Sequence, residues 1–128
     1  MIRMLALALA IAASSCGIVD YGVECTANFV FGLRVTVVDS AAGAPPDSAS
    51  MVARSGSFVD SVGPRRPVQL VANEPPVLVL PSAGERAGTY DVVVHSPGYQ
   101  DWTRNNIRVT AGRCHVRPVD LLARLHPS

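Results

Sequence analysis

Apolar and polar side chains alternate along the segment that opens the main body of the chain. Leu33, Val35 and Val37 fall on one face of an extended strand, whereas Arg34 and Thr36 fall on the other. A period of two is the spacing of a strand that buries one face. The pattern therefore predicts a half-buried β-strand at this position.

Short segments of the same kind recur through the rest of the chain, each bounded by Gly, Pro or Asn. They lie at about Ser50–Arg54, Ser57–Val62, Pro67–Ala72, Pro76–Leu80 and Gly88–His95, around Ile107 and Val109, and at Val119–Leu125. No amphipathic helix of useful length interrupts them. Seven or eight strands at this rhythm are typical of an all-β fold. We predict a seven- to eight-stranded antiparallel β-sandwich.

The carboxyl half gives the clearest strand, and two glycines along the chain mark turns. Tyr90, Val92 and Val94 share one face, so we expect them in the core, with the Tyr90 hydroxyl bonded to a polar partner. Gly43 and Gly98 stand where the chain must reverse. A positive φ at such positions is adopted at little cost only by glycine.

Composition narrows the class of protein. The chain has 128 residues, enough for one domain with one core once an N-terminal signal is removed. Its eleven basic residues are all arginine, and ten carboxylates balance them. Nucleic-acid binding needs a concentrated excess of positive charge, so this balance argues against a nucleic-acid partner.

The N-terminus has the layout of an export signal. Arg3 supplies a positive charge, the ten residues 4–13 are apolar, and small residues precede Cys16. Residues 13–16, Ala-Ser-Ser-Cys, resemble the bacterial lipobox, although leucine is usual where Ala13 stands. We therefore expect a signal peptide at 1–15, a lipidated tether at 16–27 and a sandwich at 28–126. Ordinary secretion, with Cys16 left as a thiol, is the alternative.

Lipid at Cys16 would make the membrane a partner and the bacterial outer membrane the expected location, since no aspartate follows the cysteine. The remaining Cys25 and Cys114 form an even pair in an oxidising compartment, so we predict a disulfide between them. A metal site formed by the same two cysteines and His115 is the alternative, but no paired-ligand spacing supports it. No cofactor is expected.

Three stretches, VTVVDSAAGAPP, GTYDVVVHSPGYQDW and IRVTAGRCHVRPVDLLARL, are together similar to the carboxypeptidase regulatory-like domain. The resemblance covers roughly residues 25–126. It implies a small prealbumin-like or Ig-like Greek-key sandwich, and exported bacterial versions often carry cysteines matching Cys25 and Cys114. It does not by itself imply catalysis.

Candidate chemistry is sparse. His95, His115 and His126 lie on three separate segments, which indicates surface or edge positions rather than one site. No Gly-x-Ser-x-Gly elbow and no phosphate-binding loop is present. Arg65 and Arg66 form a loop pair that could contact anionic lipid or phosphate, although such charges are usually only solvated.

Tyr99 and Trp102 are the candidate ligand-binding residues, because two aromatic faces can stack on a sugar ring. The competing interpretation is that both side chains cover one end of the core. Our leading hypothesis is a non-catalytic, lipid-anchored accessory or protein-interaction module of the envelope. A carbohydrate-binding module for envelope glycans is the alternative, and a small prealbumin-type hydrolase is a second, weaker one.

Overall fold

The alternating segments form seven β-strands in the computed structural model, which describes residue 22 and residues 24–128. The strands are β1 (Phe31–Asp39), β2 (Ala49–Ser55), β3 (Phe58–Arg65), β4 (Val79–Gly84), β5 (Gly88–His95), β6 (Trp102–Val109) and β7 (Val119–Leu125). The predicted signal peptide, Ala13 and Cys16 lie outside the described residues. Among the described residues, no helix has the length and apolar character needed to cross a membrane.

Two sheets pack face to face, which confirms the predicted β-sandwich. One sheet has the order β4-β1-β7 and the other β3-β2-β5-β6. The prediction of a wholly antiparallel fold is wrong at one pairing, because β1 and β7 run parallel with Val35 opposite Leu121. The last residue of β6, Val109, lies beside the start of β1 in the other sheet. The chain crosses from one sheet to the other at this end of the sandwich. β7 therefore starts beside the start of β1 and follows its direction.

The inward faces of the strands form a single core. Alternation had assigned two sets of side chains to it, and all of them are buried: Leu33, Val35 and Val37 from β1, and Tyr90, Val92 and Val94 from β5. The Tyr90 hydroxyl donates to Arg86 O at 2.9 Å, and burial raises the pKa of this phenol. The polar end of the largest core residue is thereby satisfied, as expected.

One predicted strand is absent from the described residues. Pro67–Ala72 lies in the loop between β3 and β4, where only Val68 pairs, through a single bridge to Val77. Pro67 has no amide hydrogen for a sheet, and Asn73 turns the chain with a φ of 66°. The segment therefore forms a small exposed hairpin instead of a sheet strand.

The strand directions divide the molecule into two ends. The disulfide end is formed by residues 24–30, 56–57, 85–87 and 110–118, and the far end by residues 40–48, 66–78, 96–101 and 126–128. β1 spans the two ends with nine residues. At about 3.3 Å per residue the ends are about 30 Å apart.

Candidate functional site

An open groove lies among the loops of the far end. It has a volume of about 560 Å³ and is lined by Ala44, Asp47, Ser48 and Arg66 together with five prolines, Pro45, Pro46, Pro67, Pro75 and Pro76. We call it the proline groove. Its size is within the range of ligand-binding clefts. A smaller side groove of about 220 Å³ shares Pro45–Ser48 with it and adds Ser96, Pro97 and Tyr99.

Asp39 holds one wall of both grooves in place. Its Oδ1 accepts hydrogen bonds from Ala41 N and Ala42 N, each at 2.8 Å, and its Oδ2 accepts from the Tyr99 hydroxyl at 2.8 Å. The Ala42 amide, followed by Tyr99 and the Ala41 amide, lowers the pKa of Asp39. The same hydrogen bond raises the pKa of Tyr99. One carboxylate thus joins the β1–β2 loop to the β5–β6 turn.

Three further hydrogen bonds fix the opposite side of the side groove. Ser96 is buried, and its hydroxyl donates to Ser48 O at 2.6 Å. Residues of the C-terminal segment pair with the β5–β6 turn, since Gln100 N donates to His126 O at 2.9 Å and Ser128 N donates to Gly98 O at 3.0 Å. Prolines have little side-chain entropy to lose, so binding at this end would cost little side-chain ordering.

The two candidate aromatic residues have different surroundings. Both are half-buried and pack against the core. Tyr99 also lines the side groove, whereas Trp102 lies opposite Val94 and carries the Arg104 guanidinium 5.4 Å from its ring centre. Trp102 lines neither the proline groove nor the side groove. Of the pair, only Tyr99 therefore belongs to the candidate site.

The predicted disulfide is confirmed. Cys25 and Cys114 are joined by an S–S bond of 2.02 Å, with their Cα atoms 5.2 Å apart. Two oxidised sulfurs are not metal ligands. Residues 24–128, with residue 22, contain no group of three or more His, Cys, Asp or Glu side chains able to hold a metal ion.

The three histidines occupy separate sites. His95 Nδ1 lies 2.8 Å from Asp101 Oδ1 on the exposed outer side of the β5–β6 turn. His115 is at the disulfide end and His126 at the far end, where it contributes to the lowered pKa of Asp39. No shared chemistry therefore links them.

His115 nevertheless belongs to a cluster that the sequence did not indicate. Its Nδ1 lies 2.6 Å from Glu85 Oε1, and its Nε2 lies 3.1 Å from Thr26 Oγ1. This order of hydroxyl, imidazole and carboxylate is the order of a nucleophilic triad. Thr26 is exposed, however, and neither the proline groove nor the side groove touches any of the three residues. These two grooves therefore offer the cluster no cleft for a substrate.

The carboxylate of Glu85 instead fastens the N-terminal segment to the sandwich. Glu85 Oε1 also accepts from Val30 N at 2.8 Å, and Oε2 accepts from Val116 N at 3.4 Å. Burial alone would raise the pKa of Glu85, but the hydrogen bonds from Val30, His115 and Val116 outweigh it and lower the pKa. Together with the disulfide, this cluster fixes where the chain enters the domain.

A third concavity lies on the other side of the β3–β4 hairpin. It has a volume of about 190 Å³ and is lined by Arg65, Arg66, Val68, Leu70, Val77 and Val79. We call it the arginine hollow. Arg66 lines both the hollow and the proline groove, so the two are neighbours.

No protein-family model matches the chain, and no curated protein is significantly similar to it in sequence.

Proposed function

We propose that the protein is a non-catalytic, exported binding module, attached to the outer membrane through lipid on Cys16, that holds a partner protein of the envelope at its far end. The observation that carries the proposal is the separation of the two ends. The chain enters the sandwich at the disulfide end, and the proline groove lies about 30 Å away at the other.

Export is supported by the disulfide, because such bonds persist in oxidising compartments. The sandwich, with positive φ at Gly43 (70°) and Gly98 (83°), is compatible with the proposed relationship to the carboxypeptidase regulatory-like domain. The lipid is tested by the intact mass of protein purified from membranes. We expect a diacylglyceryl addition on Cys16 and the loss of the two thiol hydrogens of Cys25 and Cys114. An unmodified Cys16 thiol would contradict the anchor.

Binding at the far end is tested by photocrosslinking in intact cells. A photoreactive amino acid replaces Asp47 in the proline groove, and a matched control carries it at Ser57, which is exposed at the disulfide end. We expect a discrete protein adduct from position 47 that is absent from position 57. Equal adducts from both positions, or none from position 47, would refute the proposed binding site.

A glycan ligand is the second candidate, favoured by the half-exposed Tyr99 ring beside Asp47 and Ser48 in the side groove. An aromatic face flanked by a carboxylate and a hydroxyl suits a sugar ring. Calorimetric titration with envelope oligosaccharides tests it. We expect binding that Tyr99→Ala abolishes and Trp102→Phe leaves unchanged, and an absence of heat from every oligosaccharide would exclude it.

A further inference from the structure

The hairpin that forms one wall of the arginine hollow carries several exposed large apolar side chains. Leu70 is 74% exposed, Val68 57% and Val71 51%, all on one small hairpin. Single exposed apolar residues are ordinary, but a contiguous group indicates an interaction surface. The bridge between Val68 and Val77 holds the hairpin in one shape, with Val68 N donating to Val77 O at 2.8 Å.

Two unneutralised charges stand at the base of this hairpin. Neither Arg65 nor Arg66 forms an ion pair or a hydrogen bond through its guanidinium with any residue of the described chain, whereas Arg34 is paired with Asp120. The backbone at both is restrained, because Arg65 pairs with Ala49 in the sheet and Arg66 precedes a proline. Arg65 and Arg66 both line the hollow, and their guanidinium groups suit carboxylates, which they can bind through paired hydrogen bonds.

We propose that the arginine hollow recognises an acidic, apolar segment of the partner protein. Carboxylates of that segment pair with Arg65 and Arg66, and a neighbouring large apolar side chain enters the hollow between Val68 and Leu70. This inference rests on the proposed function and names the chemistry of the partner.

The same surroundings disfavour another mode of contact. Strand addition is hindered at the free edge of β4, where Pro81 has no amide hydrogen and Ala83 N already donates to Asp60 Oδ2 at 3.0 Å. Recognition therefore depends on side chains.

The test measures fluorescence anisotropy with the full exported chain, its disulfide intact. The probe is a labelled peptide containing Glu-Glu-Leu-Phe between Gly-Ser flanks, and the comparison peptide contains Lys-Lys-Leu-Phe. We expect the acidic peptide to bind at least about tenfold more tightly, as loss of charge-assisted hydrogen bonds would imply. Its affinity should fall as salt concentration rises.

Substitutions distinguish the contribution of the arginine charges to peptide binding from that of the apolar contact. The double variant R65E/R66E should lose binding of the acidic peptide and gain binding of the lysine peptide, and L70S should weaken both. The matched control R108E/R113E reverses two exposed arginines toward the disulfide end and should bind as the unaltered chain does.

Equal affinity for the two peptides would overturn the inference, as would tighter binding to anionic phosphatidylglycerol vesicles than to the acidic peptide. Unchanged binding by R65E/R66E would do the same. If crosslinking at position 47 persists in any of these cases, the proposed function stands and only the chemistry assigned to the partner fails. If that crosslinking is also absent, both fail.

Discussion

At the scale of single residues, Glu85 carries more contacts than any other exposed carboxylate at the disulfide end. It adopts a φ of 48°, which is costly for a residue with a Cβ, and its oxygens accept from His115, Val30 and Val116. The hydrogen bonds compensate for the strained backbone. Nothing in the sequence marked Glu85, because its partners come from segments distant along the chain.

The depressed pKa of Glu85 predicts an acid-sensitive attachment of the N-terminal segment. Ionised Glu85 adds to the free energy of unfolding at pH values above its unfolded-state pKa of about 4.3. This contribution is lost as the pH falls through the lower pKa of the folded state. Glu85→Gln should therefore increase hydrogen exchange at residues 24–30 near neutral pH and remove the acid dependence. Glu74→Gln is the control, and equal exchange in the two variants would contradict this role.

Tyr99 has a role that the sugar-platform hypothesis did not include. Its hydroxyl donates to Asp39, the residue that also caps the β1–β2 loop. Tyr99→Phe should raise the pKa of Asp39 toward its ordinary value, because one of the hydrogen bonds that lower it is removed. Carboxyl-carbon NMR titration measures this shift directly. Tyr90→Phe should leave the Asp39 titration unchanged, and an equal effect of both variants would contradict the assignment.

At the scale of elements, prediction succeeded where alternation was unbroken. β5 has the predicted bounds, Gly88–His95, because every second residue in it is buried. β6 was predicted only around Ile107 and Val109. The irregularity opposite Asp91 changes the phase of alternation, so that Trp102 and Ile107 both face inward despite their odd spacing. A pattern with a fixed period cannot follow such a bulge.

The bulge itself yields a stability prediction. Asn106 has a φ of 58°, and its amide donates to Asp91 Oδ1 at 3.0 Å. A β-branched residue is strained in this region, so Asn106→Val should lower the free energy of unfolding by about 1 to 2 kcal/mol. Asn106→Gly should cost much less. Urea unfolding measures both, with Asn105→Val as the control, and equal losses for the two valine variants would show that φ is not the cause.

The hairpin at 67–77 shows where prediction from local sequence fails. Its Val and Leu content favours a strand, yet its side chains are exposed and its single bridge leads to Val77 rather than to a sheet. The β-propensity of a residue measures how well it fits a pleated, half-buried surface. Whether the fold provides such a surface at that position depends on the rest of the chain. The same limit applied to the grooves, because Pro45, Arg66 and Tyr99 meet only after the strands have paired.

At the scale of the whole molecule, the disulfide determines how the two ends differ. It joins residues 89 apart in sequence and ties the entering segment to the loop that precedes β7. The far end has no such covalent tie among residues 24–128, and its loops depend on hydrogen bonds and prolines. Under the proposed function, a pull from a partner at the far end would pass along the strands to the end that the disulfide fastens.

Removing the bridge should therefore destabilise the fold without altering the far end. For a closed loop of this length the loss of chain-entropy constraint corresponds to about 4 to 5 kcal/mol, an upper value because measured effects are often smaller. The double variant Cys25→Ser/Cys114→Ser should show a lower urea midpoint, and reduction of the unaltered chain should reproduce it. Below that midpoint, crosslinking from position 47 should persist, since the proline groove contains neither cysteine. Loss of crosslinking by a variant that is still folded would show that the two ends are coupled, contrary to this account.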